Sequence, residues 1–282
     1  MRRQLKDITN ELCYLIRGIP IKTFVQPHPF IVMLAPDFYW GNRTPDQDQI
    51  QLQLKRKYDI FSEILFLMLR NAPTNLSERL ESADEAFRIW LELERNYSLS
   101  PNADENEKRL LEDSQNLEQL IDILEAKSEE EIILIPDTNS LLISSDPVVY
   151  SSIAQTDSFI FLLLPTVLAE LDNLKILHRN PDVREKAEKT IKRIKGWRNQ
   201  GTLYEGVKVS GNIKVAAEYR EPDMNNTLSW LDTDNSDDRI IASILSVIVH
   251  NPTAKVVLVT GDINLQNKAD SAMIEVKELE VE

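Results

Sequence analysis

Residues 131–141, EIILIPDTNSL, govern how the rest of the chain is read. Ile132 to Ile135 form an apolar, β-branched run, long enough for a buried strand and too short for a helix. Pro136 ends it and Asp137 follows at once, with Thr138 and Asn139 behind as turn and cap formers. An acid just past a buried strand occupies the place where open α/β sheets put their chemistry, beyond the carboxyl ends of the strands. A single such Asp is more often a helix N-cap than a ligand. The weight therefore falls on whether the pattern recurs.

It does recur. FIFLLL (159–164) and KVVLVT (255–260) are further apolar runs, and MIEVKEL (273–279) suits an edge strand. Helical text lies between them, at about 145–155, 166–177, 182–199 and 236–250. Strands alternating with helices predict right-handed crossovers and a parallel sheet covered on both faces. The second run leads through Pro165 into TVLAELDNLK, which puts Glu170 in the opening of a helix. The third ends at TGDINL with Asp262. Asp238 stands in NSDDRIIAS, near the start of a helix whose apolar positions are Ile240, Ile241, Ile244, Leu245 and Ile248. Asp172 falls on a different helix face from Glu170.

Carboxylates gathered at one sheet edge repel each other and raise each other's pKa unless a cation joins them. A hard divalent ion, Mg²⁺ or Mn²⁺, suits oxygen ligands and substrate phosphate. The chemistry implied is metal-assisted phosphodiester hydrolysis. The three histidines, His28, His178 and His250, are scattered away from these motifs.

These residues carry a resemblance to the PIN-domain ribonucleases. PDTNSLL resembles the first family motif, with Asp137 as ligand and Asn139 ordering its loop. LPTVLAELDNLK resembles the second and implies Glu170. NSDDRIIAS resembles the third; its spacing to Ile241-Ala242-Ser243 selects Asp238, with Asp237 as a supporting neighbour. VLVTGDINLQNKA resembles the fourth, implying Asp262 with Thr260 as a positioning hydroxyl. The resemblance covers about 131–280 and implies a three-layer, parallel-sheet α/β domain with an endoribonuclease activity on single-stranded RNA. The segment from Gly206 to Asn235 is longer than the minimal fold needs. Its Asp232 and Asp234, with Asp237, are either solvated loop acids or auxiliary ligands.

The first 128 residues lie outside the resemblance and read as a mainly α-helical domain, with a boundary before residue 129. Leu5, Ile8, Leu12, Leu15 and Ile16 share one helical stripe. A proline- and aromatic-rich break follows, in which Phe30 to Leu34 is a candidate short strand. Helices are expected at about 48–71 and 77–95, the second with Asn75 or Ser77 as N-cap and Ala86, Ile89, Trp90 and Leu93 buried. Another runs from Asp104 to Ser128 with Leu110, Leu117, Ile121 and Leu124 on one face. This region would serve targeting, regulation or contact with a protein partner or a second copy.

The 282 residues suffice for two such cores. One cysteine, Cys13, excludes an internal disulfide framework and fits a reducing cytosol. No stretch approaches the roughly 18 apolar residues that span a bilayer, so no membrane role is expected. The net charge of −14 opposes a general attraction to nucleic acid. Locally the sign reverses. Lys175 to Arg198 hold nine basic residues against Asp182, Glu185 and Glu188. Lys186, Lys189, Lys192 and Arg193 can form one basic helix surface for an RNA backbone, while Ile191, Ile194 and Trp197 pack inward. Two alternatives stand beside the nuclease: a catalytically silent RNA- or protein-binding module, and a haloacid-dehalogenase-type phosphatase. The latter wants an Asp two residues after Asp137, where this chain has Asn139.

Overall fold

The computed structural model describes residues 1–24, 37–93, 99–125 and 131–280. The chain divides into two compact units, Met1–Glu125 and Ala126–Glu282.

The first unit is built from helices α1 (Arg2–Arg17), α2 (Pro45–Met68), α3 (Thr74–Glu92) and α4 (Ala103–Glu125), with an antiparallel pair β1 (Ile21–Phe24) and β2 (Asp37–Trp40). Each helix packs on two of the others, closing a four-helix bundle. The stripe expected on α1 is buried in full, from Leu5 to Ile16. A capping box between Thr44 and Gln47, with Pro45 at the first helical position, starts α2 earlier than its apolar pattern indicates. Neither Asn75 nor Ser77 caps α3: Pro73 holds that position without a side-chain bond. Trp90 and Leu93 are buried as expected, but Ala86 is only partly so and Ile89 is exposed; Leu80, Ala83, Phe87 and Leu91 complete the buried face of α3. Asp84 lies on this face, its carboxylate taking hydrogen bonds from Tyr58 (2.9 Å), Ser62 (2.7 Å) and Arg88 (2.7 Å). Leu110, Leu117 and Ile121 of α4 are buried as expected, and Leu124 is only partly so. The candidate strand at Phe30 to Leu34 lies outside the described residues.

In the second unit the three apolar runs become β3 (Ile132–Pro136), β4 (Ile160–Leu163) and β7 (Lys255–Val259). β8 (Glu275–Lys277) is the expected edge strand. The helices are α5 (Thr138–Ile143), α6 (Ser151–Ala154), α7 (Pro165–Leu177), α8 (Pro181–Arg198), α9 (Ser236–His250) and α10 (Ile263–Ser271). A 3₁₀ turn at Pro147–Tyr150 precedes α6, so the helix expected at 145–155 is broken, and α5 begins ahead of it. Two strands were not foreseen: β5 (Val207–Ser210) and β6 (Ile213–Ala217), inside the segment read as an insertion. The sheet order is β5-β6-β4-β3-β7-β8. All neighbours are parallel except β5, which pairs antiparallel with β6, so the sheet is mixed and mostly parallel. Leu134, Ile135, Phe161, Leu163, Leu258 and Val259 are fully buried, and the burial of successive residues means both sheet faces are covered by helices. Ile133 stands opposite Val256 and Ile160, which aligns the carboxyl ends of the three central strands.

Candidate metal centre

Asp137, Glu170 and Asp262 are each delivered where a strand stops and a helix starts, while Asp237 and Asp238 open α9 after a long loop. Asp137 follows β3 and is the N-cap of α5: its Oδ1 accepts the Ser140 N–H at 2.6 Å. Asp262 follows β7 and caps α10, its Oδ1 accepting the Asn264 and Leu265 N–H groups at 2.8 and 3.2 Å. Cap and ligand are thus compatible roles, because a carboxylate has lone pairs left after capping. Pro165 opens α7 and Glu170 lies in its second turn.

The positioning groups are hydroxyls. Thr260, fully buried, donates to Asp137 Oδ2 at 2.6 Å and accepts the Asp262 N–H at 3.0 Å. One threonine therefore ties the loop after β7 to the acid after β3. Thr138 donates to Glu170 Oε2. Behind α5, Tyr150 donates to the Ser140 and Ser144 carbonyls at 3.0 and 2.8 Å. Burial, with the nearby charge of Asp137, pushes its pKa up, so it stays a donor.

A cavity of about 290 Å³ opens at this sheet edge, lined by Asp137, Asn139, Glu170, Asn173, Asp237 and Asp262 among others. Four acidic side chains from separate segments, Asp137, Glu170, Asp237 and Asp262, therefore share one space. Asp238 is not among the lining residues. It is buried, its Oδ2 accepts the Asp232 N–H at 2.9 Å, and its Oδ1 lies 2.8 Å from Lys268 Nζ without hydrogen-bond alignment. The same Lys268 ammonium reaches Asp237 Oδ2 at 3.3 Å and the α9 cap Asn235 at 3.2 Å. Burial alone would lower the pKa of Lys268. The Asp238 and Asp237 carboxylates outweigh it and hold the ammonium charged. Asp232 and Asp234 are exposed.

The donor set fits a hard divalent cation. Every polar lining side chain offers oxygen, and there is no thiol or imidazole. Among the described residues no group of three or more acidic, histidine or cysteine side chains is placed to hold a metal ion directly.

Of the basic surface, Lys186, Lys189 and Lys192 are exposed on α8, while Arg193 is half-buried and 3.8 Å from Asp146. Ile191, Ile194 and Trp197 are buried as expected. Arg239 pairs with Glu221 at 2.6 Å. Residue reading missed Thr138, Tyr150, Asn173 and Lys268. Thr138, Asn173 and Lys268 carried a signal, since they stand inside the quoted PDTNSLL, LPTVLAELDNLK and VLVTGDINLQNKA stretches; Tyr150 carried none. Among the described residues no helix is long and apolar enough to cross a membrane.

Compared with known proteins, residues 134–280 match a family model described as the PIN domain. No curated protein gives a significant match to the chain.

Proposed function

The chain belongs to the PIN-domain family, which has a nuclease fold, and from that premise we propose that it is a metal-dependent endoribonuclease acting on single-stranded RNA in the cytoplasm. One observation carries the reading: Asp137, Glu170, Asp237 and Asp262 line a single cavity at the carboxyl edge of a mostly parallel sheet. Asp137, Glu170 and Asp262 would hold the ion, with the Asp237–Asp238 pair as the third-motif acids. When bound, Mg²⁺ or Mn²⁺ supplies Lewis-acid polarisation of the phosphate and an acidified water. Thr260 and Thr138 fix the carboxylates that receive it, and Asn139 orders the loop at the cavity mouth. Lys186, Lys189, Lys192 and Arg193 offer the phosphate backbone a cationic surface within an otherwise acidic chain. We assign the helical unit, Met1–Glu125, to targeting, regulation or association with a protein partner or second copy.

The test is incubation of the full chain with labelled single- and double-stranded RNA and DNA, in Mn²⁺, Mg²⁺ or chelator. Internal cleavage of single-stranded RNA with metal, lost in Asp137→Asn and Asp262→Asn proteins that keep their circular dichroism, is the expected result. A double variant with full activity would sink the proposal. Metal-independent RNA binding without cleavage would favour the silent module.

A further inference from the structure

A second cavity shares helix α9 with the carboxylate cavity. β6 runs parallel to β4 with Ala217 opposite Leu163, so the residues after β6 emerge at the same edge as Pro165 and α7. The Glu218 N–H donates to the Leu163 carbonyl at 2.9 Å, and the Ala217 N–H to Leu203 at 2.9 Å. These bonds bring Tyr219 and Tyr204 to that edge from opposite flanks of β6. Their rings meet edge to face, with centroids 5.1 Å apart and planes at 77°. Both side chains are largely exposed, Tyr204 at 65% and Tyr219 at 58%. The Arg220 guanidinium lies 5.1 Å over the Tyr219 ring and its Nε donates to the Tyr219 hydroxyl at 2.7 Å.

Helix α9 joins the two places. Asp237 and Ile240 line the carboxylate cavity, while Ser243, Ser246, Val247 and His250 line a second cavity of about 200 Å³ together with Tyr204, Tyr219 and Arg220. The start of α9 thus walls one space and its later turns the other. The Arg239–Glu221 ion pair, 2.6 Å, ties the loop after Tyr219 to the first turn of α9. It also neutralises Glu221 at the cavity wall, so a passing polyanion does not meet that acid unpaired. His250 Nδ1 lies 2.7 Å from the Ser246 carbonyl, which only accepts, so Nδ1 carries a proton and is turned toward its own helix.

Two exposed aromatic rings, one under an arginine, beside polar side chains, are the chemistry of nucleobase capture. A base stacks on a tyrosine face or a guanidinium plane, and its edge hydrogen-bonds to nearby polar groups. We propose that Tyr204, Tyr219 and Arg220 form a stacking site for an unpaired base of the substrate strand, flanking the phosphate at the carboxylate cavity. The site requires a splayed base and so selects single strands over duplex. It rests on the nuclease reading given above, and deepens it by assigning the strandedness preference to named residues.

The experiment uses the full chain in chelator, so that nothing is cut. The probe is an oligouridine RNA carrying one 2-aminopurine and an end-label for anisotropy. Wild type is expected to bind and to quench the 2-aminopurine. Tyr219→Ala is expected to lose about tenfold in affinity and most of the quench. Tyr219→Phe keeps the ring and should keep both, and Tyr204→Ala should fall between. In parallel, hydrolysis of bis(p-nitrophenyl) phosphate with Mn²⁺, a substrate with no base, should be equal in all four proteins. Absence of that hydrolysis from wild type would remove the nuclease reading, whatever the binding data. Intact hydrolysis, with equal RNA affinity and quenching in Tyr219→Ala and wild type, overturns the stacking site alone. So does wild type that hydrolyses the small diester but binds no RNA.

Discussion

At the scale of single residues, the decisive contacts around the carboxylates come from uncharged or oppositely charged partners. Thr260 has no room for a substitute partner, since it is fully buried and bonded on both sides. Thr260→Val keeps the shape and removes the hydroxyl, leaving Asp137 Oδ2 without its donor. A cost of about 1–3 kcal/mol in a urea titration is expected, with a larger fractional loss of metal-dependent cleavage. The Asp237–Asp238 pair separates by environment. Asp237 opens to the cavity, whereas Asp238 is enclosed between Lys268 and the Asp232 amide. Asp237→Asn should weaken Mn²⁺ binding in calorimetry while leaving stability nearly unchanged. Lys268→Met strands Asp238 and should cost about 3 kcal/mol, the low end for a broken buried pair because Lys268 stays a quarter exposed. Adding Asp238→Asn should restore most of that loss; no restoration would mean Lys268 acts through packing alone.

At the scale of elements, the β5–β6 hairpin places the tyrosines and rests on one backbone conformation. Gly211 has φ of +51° in the two-residue link between Ser210 and Ile213. A β-branched residue there meets the left-handed penalty, so Gly211→Val should lower stability by about 1–2 kcal/mol, whereas Gly211→Asn should cost much less. Thermal unfolding followed by circular dichroism reads the difference. In the helical unit, α1 buries Cys13 near Glu107. Burial foremost, then the charge of Glu107, pushes the thiol pKa up to about 11. Reaction with a disulfide reagent at pH 8 should be slow in the native chain and rapid in urea. As pH rises toward 11 the native rate should climb; a fast native rate at pH 8 would show that α1 opens readily.

Across the whole molecule, a net charge of −14 coexists with an exposed row of lysines on α8. Binding to single-stranded RNA should weaken with salt, each phosphate contact contributing about −0.7 to the logarithmic slope. Three or four contacts predict a loss of about twentyfold to fiftyfold between about 50 and 200 mM salt. Lys189→Ala should flatten the slope by about one contact. An unchanged slope in the Lys186, Lys189 and Lys192 triple variant would move the RNA path elsewhere. The compact second unit, with its own buried sheet, is expected to unfold cooperatively when expressed apart from Met1–Glu125.

Much of this was legible in the residues because the signals are local. A run such as KVVLVT is buried on both faces wherever it sits, and the acid after it lands at a strand's carboxyl end for the same reason. The α/β architecture, the edge strand and the positions of Asp137, Glu170 and Asp262 followed from that. The hairpin was written just as locally, in Val207, Val209, Ile213 and Val215 around Gly211-Asn212, but its alternation lay hidden in a segment read as an insertion. The burial of Asp84 on α3 was not legible, because it depends on hydroxyls brought from α2. Nor was the order of preference between Asp237 and Asp238. Adjacent acids at a helix start have the same local chemistry; Lys268 of α10 reaches both, and they differ in that Asp238 is buried and takes the Asp232 amide while Asp237 lines the cavity. The sequence by itself determined that acids would meet at the end of a sheet. Which of them open to the cavity was decided by tertiary structure alone, because that depends on charges and hydroxyls brought from helices far apart in the chain.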